Sequence, residues 1–103
     1  HKHQIAGLLA NLSENVENQV RIVDLGITAV LRKLAQIGNE DIQQDCSRAL
    51  ANLSSNEKSH YTIYKQDGLN ALMALTKSSN ETCLEFVSMA IRFLVSNAEI
   101  RSA

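Results

Sequence analysis

The string Ala-Asn-Leu-Ser occurs at residues 10–13 and again at 51–54, and this spacing of 41 constrains the chain more than any other feature. Sliding the sequence over itself by 41 positions overlaps 62 residues, of which 16 are identical. Ordinary composition would give about four. The matches include Leu9/Leu50, Asn15/Asn56, Leu34/Leu75, Asn39/Asn80, Glu40/Glu81, Ala49/Ala90 and Leu53/Leu94. A unit of this length cannot bury its apolar face alone and must stack on its neighbours. Gly26 and Gly68 lie 42 apart, so one residue is expected to be inserted before Gly68 and removed again later.

Composition gives the unit its character. Among 103 residues there is no Pro, no Trp and only four Gly, which disfavours an all-β fold built on many tight turns. Aromatic residues make up only 4%, so the core must be Leu, Ile, Val and Ala, a helical composition. Each unit reads as three helices. The first is short, 16–25 and then 57–66, with Asn15 and Asn56 in front as N-caps. Gly26 and Gly68 follow, where a left-handed glycine can end a helix. The second helix is expected over 27–37, with Ile27, Val30, Leu31 and Leu34 on one face. Its counterpart carries Leu69, Leu72, Met73 and Leu75. Asn39 and Asn80 cap the third helix, and Glu40 and Glu81 meet its positive end.

The third helix is the most regular. Ile42, Cys46, Ala49, Leu50 and Leu53 form one apolar stripe, and Cys83, Val87, Ala90, Ile91 and Leu94 repeat it position for position. Cys46 and Cys83 thus fall at core positions and read as small buried hydrophobes. With no second pair and no CxxC, neither a disulfide framework nor a zinc site is expected, and a reducing compartment fits better.

At these residues the chain resembles the armadillo repeat family. Residues 15–26 resemble the family's first helix with its closing glycine, 27–34 its second, and 46–54 the end of its third. The resemblance implies an all-α fold, a right-handed α-α superhelix (an armadillo-type solenoid) with three helices per repeat. Residues 1–14 then read as the third helix of a preceding truncated repeat, 15–54 and 55–96 as two repeats, and 97–103 as the start of a following one. Two departures matter. Helix two often begins with Pro in the family, whereas Thr28 and Asn70 stand there. Nuclear-import adaptors place a Trp four residues before the third-helix Asn, where this chain has Gly7, Arg48 and Met89. That speaks against recognition of basic nuclear-localisation peptides.

Stacked units turn their third helices toward a concave surface, where such folds bind. The stripe expected to line it runs through Gln4, Gly7, Asn11 and Glu14, then Asp41, Asp45, Arg48, Asn52 and Ser55, then Thr82, Phe86, Met89, Phe93 and Ser96. The candidate partner-binding residues are Asn11, Asp45, Arg48, Asn52, Phe86, Met89 and Phe93. The resemblance implies that Asn11 and Asn52 hydrogen-bond the backbone of an extended peptide, an amide offering both donor and acceptor. Phe86, Met89 and Phe93 follow i, i+3, i+7 beside an already apolar face. They form either a pocket for a partner's side chain or a contact with a neighbouring repeat or another copy.

The remaining signals exclude more than they suggest. Ten Lys+Arg against eleven Asp+Glu leave a net charge of −1, without the basic stripe of a nucleic-acid binder. No apolar run approaches the ~20 residues of a membrane span, so no membrane insertion is expected. There is no phosphate loop, no cofactor motif and no catalytic constellation, so no enzyme is expected. His1 and His3 make a weak terminal His-x-His, and His60 is expected at the surface or in packing. The glycosylation patterns at Asn11, Asn52 and Asn80 are discounted, the first two because they fall inside helices. The expected function is a non-catalytic scaffold in the cytoplasm, with the nucleus also open, that binds a protein or peptide along the third-helix groove. The alternative is a structural or regulatory solenoid segment packing on a kinase, motor or signalling domain of a larger protein. Exposed repeat ends would offer surfaces for self-association.

Overall fold

The structure, a computed structural model, describes residues 1–102. Its helices are α1 (Lys2–Leu12), α2 (Val16–Asp24), α3 (Ile27–Ala35), α4 (Glu40–Ser54), α5 (His60–Lys65), α6 (Gly68–Leu75), α7 (Glu81–Val95) and α8 (Ala98–Ser102). A 3-10 turn, Glu57–Ser59, leads into α5. No strand occurs among the described residues.

The helix starts follow from asparagines. Asn39 Oδ1 accepts from the Ile42 N–H at 3.0 Å, and Asn80 Oδ1 from the Cys83 N–H at 2.9 Å. These bonds satisfy otherwise orphaned amides at the starts of α4 and α7, a contribution of about 1 kcal/mol each. The short helices are capped one residue closer: Asn15 accepts from Glu17, Asn56 from Lys58 and Asn97 from Glu99.

The long helices form one layer. α4 packs between α1 and α7, while α3 packs on both α4 and α6. The core runs continuously through both triplets, with Leu31, Leu50, Leu53, Ile63, Leu72, Leu75 and Leu94 among its largest fully buried side chains. Each such residue contributes about 1.5–3 kcal/mol of apolar burial. The expected third-helix stripes are buried, save Ile91, which is half-buried against the core. Ile5, Leu8 and Leu12 on α1 are exposed, Leu8 by 57%.

Four details depart from the sequence reading. The 41-residue register holds through the second triplet: Asp67, and not Gly68, takes the left-handed position matching Gly26, with φ 63° against 92°. No residue is inserted. Gly68 is instead the first residue of α6, pressed so close to Ile63 that an added Cβ would lie 2.4 Å from its Cγ2 and 2.8 Å from its backbone oxygen. The same register corrects the second helices. Met73 aligns with Arg32 and is 60% exposed, and Val30 is 40% exposed, while Thr28 and Ala71 are fully buried in the face assigned to them. α3 ends at Ala35, two residues short of the expected 37, where Gln36 and Ile37 close a tighter turn. The expected helix over 57–66 is split into the 3-10 turn and α5.

Candidate partner-binding groove

The candidate residues stand on α1, α4 and α7, which the stripe packing lays side by side. The structure gathers the polar ones around Arg48. Its Nη1 donates to Glu14 Oε1, its Nη2 donates to Asn11 Oδ1 at 3.1 Å, and Nη2 lies 3.6 Å from Asp45 Oδ1. One guanidinium, with its rigid fork of donors, thus spans α4 and the end of α1. It is three-quarters covered, whereas Glu14 is 59% exposed, so the pair itself stabilises by at most about 1 kcal/mol. Gly7 leaves room here: an added Cβ would already touch Asp45 Oδ2 at 3.5 Å. Two carboxylates against one cation leave this patch acidic.

Asn52, one turn further along α4, is half-buried, and its Nδ2 donates to Ser13 Oγ at 3.2 Å. Ser13 Oγ in turn donates to the Ala10 carbonyl at 2.7 Å. Part of the amide's capacity is therefore spent inside the molecule. Asn11 stays exposed.

On α7 the three apolar candidates part company. Phe86 is half-buried against the core, and Met89 stands exposed. Phe93 lines a cleft of 520 Å³ together with Ser55, Glu57, His60, Ser96, Asn97, Ala98 and Glu99. This cleft lies where α4 and α7 end and α8 begins.

A set of side chains outside the expected site proves the most regular. Gln19 is buried; its Nε2 donates to the Ser13 carbonyl at 2.8 Å and its Oε1 accepts from Asn56 Nδ2 at 3.3 Å. Forty-one residues on, His60 is buried; Nε2 meets the Ser54 carbonyl at 2.5 Å and Nδ1 meets Asn97 Nδ2 at 3.4 Å. Each ties the end of a long helix to the cap of the next short one. The signal was present in the sequence, since Asn15, Asn56 and Asn97 recur at the same spacing. His60 accordingly takes the packing role and not the surface one.

Both thiols are packed into the core. Cys46 and Cys83 are free and buried. Burial, with smaller contributions from Asp45 and Cys83, pushes the Cys46 thiol up to about 12. It stays protonated and is a poor nucleophile. Among the described residues no group of His, Cys, Asp and Glu is placed to hold a metal ion, and no helix is long and apolar enough to cross a membrane.

Stacked helical triplets sharing one core define an α-solenoid. Within that class, residues 15–55 are similar to the Armadillo/beta-catenin-like repeat, whose family model they match. The fold is similar to the crystal structure of an engineered protein, with a TM-score of 0.80 and 24% identity over 93% of this chain. The chain spans 40% of that protein's length. No curated protein matches the sequence.

Proposed function

We propose that the chain is a non-catalytic interaction scaffold in which 15–54 and 55–96 act as two repeats and a partner segment lies along α1, α4 and α7. The observation that carries this reading is the acidic Arg48 patch on α4, together with the exposed Met89 and half-exposed Phe93 on the adjoining α7. A patch of that kind suits an extended segment that offers a backbone amide or basic group to Glu14 and Asp45 and an apolar side chain to α7. Arg48 acts here as a bracket holding the carboxylates in place, and Asn52 as an acceptor. A cytoplasmic location, with the nucleus also open, fits the unpaired thiols.

Panning a random peptide library on the chain tests the reading. Selected peptides should lose binding to Phe93→Asp and to Asn52→Ala, with helical content unchanged. Peptides that bind both variants as well as the parent would overturn it.

A second reading rests on α1. Ile5, Leu8 and Leu12 form an exposed apolar row on the side of α1 away from the core, the kind of surface that marks a contact with another domain or another copy. Sedimentation of the parent and of Leu8→Asp distinguishes self-association from contact with another domain: self-association predicts a concentration-dependent mass that the substitution abolishes.

A further inference from the structure

The two joints that tie long helices to the following caps are built alike but from different chemistry, and that difference carries a consequence. In the first, Gln19 gives one N–H to Ser13 and takes one from Asn56; an amide does both at any ordinary pH. In the second the same two jobs fall to an imidazole. The Ser54 carbonyl can only accept, so His60 Nε2 must carry the hydrogen. Asn97 cannot turn its amide around, because its Oδ1 already accepts from the Glu99 N–H at 3.0 Å. Its Nδ2–H therefore points at His60 Nδ1, which must be bare. His60 is 5% exposed, so most of its ring is surrounded by protein and a lost partner is costly.

We infer that His60 makes the seating of α8 acid-sensitive: a proton on Nδ1 sets two N–H donors against each other and releases Asn97, and α8 with it. The surroundings give the protonated ring somewhere to go. Glu57 from the 3-10 turn and Glu99 from α8 line the same cleft as His60. The ends of α4 and α7 bring only Ser55, Phe93 and Ser96 to that cleft. Lys58, Tyr61, Tyr64, Lys65 and Arg101 on the 3-10 turn, α5 and α8, and Glu17, Arg21 and Asp24 on α2, lie outside the cleft lining, and α6 carries no titratable side chain. A charged imidazole thus loses Asn97 while the Glu57 and Glu99 carboxylates share its cleft. The Gln19 joint undergoes no such loss.

Amide hydrogen exchange on the whole chain tests this at about pH 7.5 and about pH 5.5, on either side of the ordinary imidazole range. Protection of the Glu99 and Arg101 amides should fall on acidification, because both are held by Asn97. Protection of the Lys58 amide, held by Asn56 in the first joint, should stay level. In His60→Gln the Glu99 and Arg101 amides should keep their protection at both pH values, which also sets aside the exposed His1 and His3. Parallel behaviour of Glu99 and Lys58 in the parent chain would overturn the inference, as would an equal loss in His60→Gln. Should that variant fail to fold, nitrogen shifts of the His60 ring in the parent decide: a hydrogen on Nδ1 at neutral pH overturns it.

Discussion

Gly26 and Asp67 stand 41 residues apart, end equivalent short helices and share a left-handed backbone, yet only one is a glycine. At Gly26 nothing lies within 4 Å of an added Cβ, so the glycine answers a backbone need alone. In the second triplet the two uses of glycine are separated. Asp67, a residue type that tolerates the left-handed region, takes the turn, while Gly68 next to it takes the close approach to Ile63. The left-handed position can therefore be filled by a glycine or by an aspartate, while the next position can require a glycine for a separate reason, and the sequence alone does not tell the two uses apart.

The largest expected effect compares the third helices. Leu50→Ala empties a fully buried site between α1 and α7 and should cost about 2–5 kcal/mol in denaturant unfolding. Ile91→Ala at the equivalent, half-buried position should cost clearly less; equal losses would mean that both helices are covered alike. Next comes the glycine pair. Gly68→Ala drives a Cβ into the Ile63 backbone, which cannot swing away, so about 1–3 kcal/mol should be lost. Gly26→Ala meets open space and should cost only the left-handed strain, about 1–2 kcal/mol. Gly26→Asp, copying the second triplet into the first, should fall below that by chemical denaturation, and a larger loss than Gly68→Ala would break the comparison.

The smallest effect concerns Cys46. Its thiol is held neutral in the fold, so its contribution is fully present below the ordinary thiol range near pH 9 and is lost as pH rises toward about 12. Melting curves should be flat in this respect up to about pH 8, and Cys46→Ser should make the alkaline slope shallower. Alkylation of Cys46 in the folded chain at neutral pH would contradict the burial.

Much of the fold was legible because its signals are local and recur. The asparagine caps, the third-helix stripes and Gly26 each follow from a few neighbouring residues and from the spacing of 41. What misled was a single glycine. Pairing Gly68 with Gly26 shifted the second helix by one residue and put Met73 inward, although Ile22/Ile63 and Leu31/Leu72 keep the register of 41 on both sides. The candidate groove was legible as a row of positions but not as a network. That Arg48 is already engaged by Glu14, Asn11 and Asp45 depends on how closely α1 and α4 approach, which no periodicity encodes. Gln19 was not singled out, and His60 was not paired with it, because a glutamine and a histidine do not look like the same residue; only their equivalent partners reveal it.

The double duty of Asn56 reaches beyond its own hydrogen bonds. Its Oδ1 starts one helix while its Nδ2 secures the end of the joint before it, so a single side chain must satisfy two elements that the chain reaches by different routes. Asn97 is bound in the same way. A one-residue insertion within either triplet would leave the amide in phase with one element and out of phase with the other. Length is thereby measured by the molecule itself, and in an array of such units these asparagines would act as a ruler, tolerating many changes of sequence between the marks but few changes in the distance between them.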